Sequence, residues 1–291
     1  MKPASFDYKR ASTLDHACEM LSTAGDDAKI LAGGQSLIAA MNFRLARPSV
    51  LIDISNIADR NQVSEESRGI RVLATTTQRY AEKNAALRAR LPVLGAAIEK
   101  IAHFQIRNKG TVGGSIVNAD PASELPAMSL LLDAEFDIKS ASGAHTMDAE
   151  AFFITYMTTA LQPDEVLASI LFQAPPKQSG WGIHEVTRRS GDFAMAGSAA
   201  VIGLDQGGKC DYARVVLFGV AATPVRSTAC EAILAGQQGS AELYADAAHA
   251  VQEVVDPESD VHVTDAYRRQ VAEVLTARAL RDAFERASAQ Q

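Results

Sequence analysis

The chain has 291 residues, of which 47% are hydrophobic and 22% charged, with a formal net charge of −7 at pH 7. This length allows two or three domains with buried cores, and the composition is that of an ordinary globular protein. The negative charge argues against a nucleic-acid partner, because such a partner requires a basic face on the protein.

The cysteines and the apolar pattern restrict the class of protein further. Cys18, Cys210 and Cys230 are far apart, so they cannot hold a zinc ion or an iron–sulfur cluster by themselves. Their odd number also disfavours a disulfide framework. No stretch approaches the roughly 18 consecutive apolar residues of a membrane span, and the amino terminus has no apolar signal core. We therefore expect a cytoplasmic protein without a membrane span.

The first 55 residues alternate between helical and strand patterns. Apolar residues at helical spacing predict a first helix over residues 12–24. The next predicted elements are a strand at 29–32, a helix at 37–45 and a buried strand at 50–54. The glycine pair Gly33-Gly34 falls between the first strand and the second helix.

The middle of the chain contains a second glycine pair. Residues 69–74 alternate like a strand, and residues 85–106 have a helical pattern interrupted at Pro92. The segment Thr111-Val112-Gly113-Gly114-Ser115 is typical of a loop, and a polar turn over 118–126 leads to a helix predicted at 127–132.

The remaining sequence predicts mostly strands before a helical tail. A turn-rich stretch at 175–180 is the best linker, and residues 205–208 have the composition of a hairpin turn. Strands are predicted at 136–139, 166–172, 199–204 and 213–220.

The two glycine pairs share a chemistry that favours a charged ligand. Each follows an apolar, strand-like run and has hydroxyl or amide neighbours, in Ala32-Gly33-Gly34-Gln35-Ser36 and in 111–115. Glycine permits positive φ and lets main-chain N–H groups converge on an anion, while hydroxyl groups add donors. Together the pairs predict a diphosphate site, and the alternative is an ordinary turn at each position.

Larger blocks around these pairs carry a family resemblance. The first block is 30–37 with Arg47-Pro48 and 52–54, and the second is 106–115 with 119–126. In this order they resemble the FAD-binding medium subunit of the molybdenum hydroxylases, the family of carbon monoxide dehydrogenase and xanthine dehydrogenase. Residues 188–194 are similar to the flavin-side motif of that subunit, so the likeness extends over nearly the whole chain.

The resemblance implies an α+β fold with two domains. Residues 1–176 would form a PCMH-type FAD-binding domain, with subdomains at about 1–56 and 57–176. Residues 177–291 would form a smaller C-terminal domain of antiparallel sheet and helices. FAD would be bound non-covalently between the two subdomains.

The resemblance also implies an oxidoreductase that works in a complex. A small partner subunit would carry [2Fe–2S] clusters and a large one the molybdopterin cofactor, in a heterotrimer or its dimer. The large subunit would oxidise a heterocycle, an aldehyde or a similar small molecule, and electrons would pass through the clusters to this FAD and on to an acceptor. No side chain of this chain is expected to be catalytic, and no metal site is expected. Gln35 stands where carbon monoxide dehydrogenases more often have His, which slightly disfavours carbon monoxide as the substrate of the complex.

The resemblance assigns cofactor contacts position by position. Around the two glycine pairs the expected contacts are Leu31, Ala32, Gly33, Gly34, Gln35, Ser36, Leu37, Thr111, Gly113, Gly114, Ser115, Asn118, Asp120 and Glu124. Leu31 and Leu37 are equally explained by packing, and Asn118 and Asp120 by turn formation. Glu124 replaces the usual Asp of the family, and its alternative is a solvated loop carboxylate.

A second group of expected contacts lies nearer the flavin ring. It consists of Ile101, Val166, Leu167, His184, Asp192 and Phe193. Core packing explains the three aliphatic residues equally well, and His184 stands where xanthine dehydrogenase carries a lysine. Phe193 would cover one face of the ring, while Arg188 and Arg189 would either stabilise reduced flavin or form a solvated pair.

Two other functions fit the same motifs. One is a stand-alone flavin reductase of the same fold, which would need its own substrate pocket with a proton donor. The other is a non-catalytic FAD-binding module, which would bind flavin without electron flow from any cluster.

Overall fold

The structure is a computed structural model that describes residues 1–57 and 60–290. Within these residues, three larger sheets follow one another along the chain, with helices packed around them. This mixture of parallel and antiparallel sheets with helices confirms the predicted α+β fold class. No helix of the described part is both long and apolar enough to cross a membrane.

The first sheet is parallel, with its third strand in the middle. Its strands are β1 (Asp7–Arg10), β2 (Ala28–Leu31) and β3 (Val50–Asp53). Two helices connect them, α1 (Leu14–Ala24) and α2 (Leu37–Asn42). The predicted helix at 12–24 is confirmed: the Thr13 side chain accepts a hydrogen bond from the His16 N–H, and Gly25 ends the helix at φ 78°.

Helix α2 ends three residues before its predicted end at residue 45. Arg44 adopts a left-handed conformation with φ 60°, which no α-helix accommodates. The Leu45 N–H then donates to the Ala40 carbonyl at 2.9 Å, closing the helix end. The short helix leaves its amino-terminal end next to the first glycine pair.

The second sheet is antiparallel, in the order β4-β5-β10-β6-β7. Its strands are β4 (Val63–Glu66), β5 (Gly69–Leu73), β6 (Glu135–Ser140), β7 (Gly143–Asp148) and β10 (Val166–Gln173). A small hairpin, β8 (Phe153–Thr155) and β9 (Thr158–Thr159), lies between β7 and β10 in the chain. The helices of this part are α3 (Gln78–Lys83), α4 (Ala85–Arg90), α5 (Pro92–Lys100), α6 (Phe104–Arg107), α7 (Val112–Asn118), α8 (Glu124–Leu131) and α9 (Ala149–Phe152).

The helical pattern at 85–106 is divided among three helices. Pro92 is the first residue of α5, where its missing N–H is not needed, and Leu91 before it leaves the helical region. A second break follows at Ala102, whose φ is 42°. The chain therefore bends sharply between α5 and α6.

The second glycine pair is not in a loop, as the sequence predicted, but in the first turn of α7. Thr111 caps this helix, and its side chain accepts a hydrogen bond from the Gly114 N–H at 3.0 Å. A Cβ on Gly113 would overlap Ala74, lying 2.7 Å from its Cα. Close packing on β5 thus explains this glycine. Helix α8 likewise begins at Glu124 rather than at residue 127, because Pro126 is tolerated in a first helical turn.

The third sheet is antiparallel, in the order β11-β12-β13-β14. Its strands are β11 (Gly180–Thr187), β12 (Ala194–Leu204), β13 (Cys210–Phe218) and β14 (Val225–Arg226). The hairpin predicted at 205–208 is confirmed, with the Asp205 N–H donating to the Lys209 carbonyl at 2.8 Å. The helices are α10 (Thr228–Leu234), α11 (Ala241–His249), a 3₁₀ turn (Ala250–Glu253) and α12 (Asp265–Ser288).

The third sheet is buried on both faces. One face shares a core with the second sheet, in which Phe136 and Phe218 are both fully buried. The other face packs on α10, α11 and α12, where Leu217 and Leu280 are fully buried. The second and third sheets are therefore joined by one continuous hydrophobic core.

We expect Gly182→Ala to destabilise the protein by about 1–3 kcal/mol, the usual cost of overpacking. A Cβ on Gly182 would lie 2.8 Å from the Ala279 Cα of α12 and closer still to its carbonyl oxygen, and backbone atoms cannot rotate away. Chemical denaturation followed by circular dichroism measures the change. Gly95→Ala in α5 is the control, since its Cβ would make an ordinary 3.5 Å contact with Arg88 and favour the helix. Equal stability of Gly182→Ala and wild type would contradict this packing.

Candidate functional site

A cavity of about 520 Å³ lies between the first and the second sheet. The end of β2, the first glycine pair and α2 form one wall, and segments around β5, α3 and α6 form the other. It is lined by Leu31, Ala32, Gly33, Gly34, Gln35, Ile38, Ala39, Asn42, Ser55, Asn56, Arg60, Thr75, Thr77, Asn108, Lys109 and Thr111. The size is in the range of small-molecule sites.

The first wall presents unused main-chain donors. The N–H groups of residues 33–36 donate to no oxygen of the described residues. Gly34 makes this turn possible with φ 71°, and a Cβ there would lie 3.2 Å from side-chain atoms of both Leu31 and Ile38. The side-chain amide of Gln35 donates back to the Gly33 carbonyl at 3.1 Å and holds the turn. A run of free N–H groups in such a turn is suited to an anion.

The second wall presents side chains instead of main-chain donors. The N–H groups of Val112 and Gly113 donate to the Thr76 and Ala74 carbonyls at 2.8 and 2.9 Å. Those of Gly114 and Ser115 are used within the cap of α7. The Thr75 hydroxyl is used as well, since it donates to the Arg60 carbonyl at 2.8 Å. The side-chain donors that remain on this wall are those of Thr77, Asn108, Lys109 and Thr111.

The two walls meet at Gly33. A Cβ at this position would overlap the Lys109 carbonyl oxygen and lie 2.7 Å from the Gly110 Cα. Gly33 is thus required by the contact between the two chain segments, about eighty residues apart in sequence. Any side chain at this position would push the walls apart.

The described part of the cavity lining carries a net positive charge. Its described titratable lining residues are Arg60 and Lys109, both cations. Arg60 is held by the Ser55 carbonyl, to which it donates at 2.5 Å, while Lys109 is exposed. Together the two cations and the free N–H groups make the cavity complementary to a ligand with clustered negative charge.

Comparison with known proteins decides the family. Residues 4–174 match the family model described as "FAD binding domain in molybdopterin dehydrogenase", and residues 181–283 match "CO dehydrogenase flavoprotein C-terminal domain". The chain belongs to the FAD-binding medium subunits of the molybdenum hydroxylases. The family resemblance, the oxidoreductase class and the FAD cofactor predicted from the sequence are thereby confirmed.

Individual relatives agree over nearly their whole length. The 6-hydroxypseudooxynicotine dehydrogenase complex subunit alpha of Paenarthrobacter nicotinovorans is 38% identical over 287 residues, covering 99% of this chain and 97% of that protein. The caffeine dehydrogenase subunit beta of Pseudomonas sp. (strain CBB1) is 38% identical, with 98% and 97% covered. A chain of carbon monoxide dehydrogenase from Hydrogenophaga pseudoflava superposes with a TM-score of 0.95 at 35% identity, with 98% and 99% covered.

The cavity brings together only some of the residues predicted to contact the cofactor in this medium subunit. Residues 31–35 and Thr111 line it directly. The predicted residues outside its lining but on the adjoining helices and turns are Ser36, Leu37, Gly113, Gly114, Ser115, Asn118, Asp120 and Glu124. Of these, the Asn118 amide lies 3.9 Å from the Met157 sulfur, and Asp120 accepts the Ala122 N–H at 3.0 Å in a local turn.

Glu124 belongs to a buried group of carboxyl groups rather than to a solvated loop. It is 6% exposed, and burial raises the pKa of its carboxyl to about 8. Burial also raises the pKa of Asp120 and of Glu185, whose Oε2 has no hydrogen-bond partner among the described residues. Lys100 is a cation beside this group, and its Nζ lies 3.8 Å from the Glu185 carboxylate. Glu124 is thus a neutral acid near pH 7.

The residues predicted near the flavin ring are divided between core and surface. Ile101, Val166 and Leu167 are buried core residues. The ring of His184 pairs with Asp282 of α12 at 2.9 Å. Asp192 and Phe193 are exposed.

The turn that carries Asp192 and Phe193 packs on the bend between α5 and α6. A Cβ on Gly191 would lie 2.8 Å from the His103 ring and 3.1 Å from the Ala102 carbonyl carbon. The Arg188 guanidinium lies 3.2 Å from the His262 ring. The exposed residues Asp192 and Phe193 therefore lie on a segment next to the one that carries Ile101.

Several residues that line the cavity were not predicted from the sequence. Asn108 and Lys109 stand within the second block, where a cation next to the glycine pair is a readable signal. The run Thr75-Thr76-Thr77 shortly after β5 is another, because consecutive hydroxyl groups are able to hydrogen-bond a polar ligand. Arg60 and Asn42 carried no such signal.

We expect Glu124→Gln to gain stability over the wild type as pH rises from about 5 to about 8. The folded chain keeps a proton on Glu124 up to about pH 8, whereas the unfolded chain releases it near the ordinary value of 4.5. Unfolding therefore releases a proton in this window, and wild-type stability falls as pH rises. Glutamine stays neutral, so the difference in unfolding free energy should grow by roughly 2–4 kcal/mol.

Urea denaturation of the FAD-free chain at several pH values measures this difference. Glu19→Gln, which changes an exposed carboxyl on α1, is the control and should show no such trend. A pH-independent difference between Glu124→Gln and wild type would contradict a neutral, buried Glu124.

Proposed function

We propose that the cavity holds the diphosphate of non-covalently bound FAD. The observation that carries this is that the free N–H groups of residues 33–35 line the same cavity as the cations Arg60 and Lys109. A diphosphate needs donors and positive charge from more than one side, and this cavity offers both. The hydroxyl groups of Thr77 and Thr111 would serve the phosphate oxygens and the neighbouring sugar or ribityl hydroxyls.

The two glycine pairs take different parts in this proposal. The first pair supplies main-chain donors to the phosphates. The second pair lets α7 pack tightly on β5, and so places Thr111, Lys109 and the first turn of α7 opposite the first pair. Ser36, Leu37 and Ser115 would complete the surroundings from the adjoining helix turns.

The ring end of the cofactor is proposed to extend towards Ile101 and the turn with Asp192 and Phe193. This is supported by the contact of Gly191 with Ala102 and His103. Asn118, Asp120 and the neutral Glu124 would serve the hydroxyl-bearing chain between ring and phosphates. Cofactor contacts of Val166, Leu167 and His184 rest on the family resemblance alone. Val166 and Leu167 are buried in the core, and the His184 ring pairs with Asp282.

The proposed role is electron transfer within a complex. Bound FAD supplies the acceptance and release of electrons, and this chain binds it, orients its ring and sets its electrostatic surroundings. Electrons would come from the [2Fe–2S] clusters of a small partner subunit, after a large molybdopterin subunit has oxidised the substrate. The relatives named as subunits of dehydrogenase complexes support such partners, in a heterotrimer or its dimer.

A nitrogen heterocycle or related compound is the proposed substrate class of the complex. The relatives are named for 6-hydroxypseudooxynicotine and caffeine, both nitrogen compounds. We also propose domains at 1–176 and 177–291, with subdomains meeting near residue 56, which agrees with family matches that end at 174 and begin at 181. The cytoplasmic location stays a prediction.

Co-purification of this chain with a [2Fe–2S] subunit and a molybdopterin subunit tests the function. Under anaerobic conditions, a substrate of the complex should bleach the flavin absorbance, and the isolated FAD-loaded chain should show no bleaching with the same compound. Bleaching in the isolated chain by NADPH would favour a stand-alone reductase. A complex with intact clusters whose flavin stays oxidised would favour a non-catalytic FAD module.

We expect Lys109→Gln to raise the Kd for FAD by about 2- to 5-fold, the scale of one exposed charge contact with a phosphate. The effect should shrink at high salt, because salt screens this interaction. Titration of the FAD-free chain, followed by quenching of flavin fluorescence, measures Kd. Lys29→Gln is the matched control, an exposed lysine on β2 outside the cavity. If both variants bind FAD equally well, the diphosphate does not lie beside Lys109.

A further inference from the structure

Arg107 is a buried arginine to which no role has been given so far. It is the last residue of α6 and only 8% exposed. A cation is seldom buried to this degree unless each of its donors has a partner. Its position, directly before Asn108 and Lys109 of the cavity wall, makes those partners informative.

The Arg107 guanidinium connects two parts of the chain. Its Nε donates to the Glu82 carboxylate on α3 at 2.8 Å. Its Nη1 donates to the Ile101 carbonyl at 2.6 Å and to the Ala102 carbonyl at 3.2 Å. Glu82 is itself held by Arg79 at 2.5 Å. The arginine therefore fixes the bend between α5 and α6 onto α3.

Three segments of the proposed FAD site meet at this bend. The first is Ile101 itself. The second is the turn of residues 191–193, because Gly191 packs on Ala102 and His103. The third is the cavity wall at Asn108 and Lys109, which directly follow Arg107 in the chain. Gly33 of the opposite wall packs against the backbone of this segment.

The bend needs such a support. Ala102 has φ 42°, a left-handed conformation that costs free energy for a residue with a Cβ. Such a conformation persists where the surroundings hold it. The two carbonyl groups on either side of this strain both point to the same guanidinium.

We propose that Arg107 is a positioning residue for the cofactor, which holds Ile101, the turn at 191–193 and the wall at 108–109 in one arrangement. This rests on the proposed function, since it assumes that FAD occupies the cavity between these segments. Arginine suits the task because its planar fork reaches a carboxylate and two carbonyl groups at once. A lysine would keep the charge beside Glu82 but offers a single ammonium group in place of the fork.

The test compares full-length variants loaded with FAD. Arg107→Met with Glu82→Gln removes both charges together, since loss of Arg107 alone would leave the buried Glu82 carboxylate with Arg79 as its remaining ion-pair partner among the described residues. Arg107→Lys keeps the charge and removes the fork. Arg68→Met with Glu135→Gln is the matched control, because it removes a two-pronged arginine–glutamate pair from the same part of the chain, away from the cavity.

We measure the Kd for FAD and the visible circular dichroism of the bound flavin at saturating FAD. The second readout reports the ring's surroundings and would not change through a loss of overall stability alone. For the Arg107 variants we expect a Kd at least about tenfold higher and an altered dichroism spectrum, with Arg107→Lys failing to restore the wild-type spectrum. The control pair should keep both wild-type values, whatever its melting temperature.

Wild-type Kd and spectrum in the folded double variant would overturn the positioning role. If the double variant does not fold, Arg107→Lys decides, and wild-type values in that variant would overturn the role. A wild-type chain that takes up no FAD would overturn the proposed function together with this inference. Normal FAD uptake by wild type and variants alike overturns the positioning role alone.

Discussion

The contact of Gly33 with Lys109 and Gly110 is the constraint on which the site depends. It joins the turn after β2 of the first sheet to the segment after α6, which belongs to the second-sheet part of the chain. Because the backbones touch where a Cβ would stand, the separation of the two cavity walls is fixed by main-chain atoms. The free N–H groups on one side and the polar side chains on the other are held at a set distance for the same reason.

Much of the fold could be predicted because its central elements are apolar. The buried strands β3, β10, β12 and β13 and the helices α1 and α12 all carry long or periodic apolar patterns. Strand β1 was missed because its four residues are all exposed, and nearly all of β7 is exposed as well. Such edge strands are defined by main-chain pairing with a neighbour, which leaves no periodicity in the sequence.

The parts of the site formed by glycine turns could be predicted from the sequence. The parts formed by side chains that converge from distant segments could not. The first glycine pair was found with its turn, its strand and its helix. The second was found too, yet sequence could not tell that its N–H groups are used by Thr76 and Ala74. Arg60 gave no signal, and Arg107 was only one member of the second family block, because their importance lies in partners that only the folded chain brings near.

The core shared by Phe136 and Phe218 has a consequence for how this protein can be divided. Two family domains meet in it, yet neither could be cut away without baring an apolar face to water. A fragment that ends at the linker would be prone to self-association. We therefore expect the two halves to unfold together as one cooperative unit.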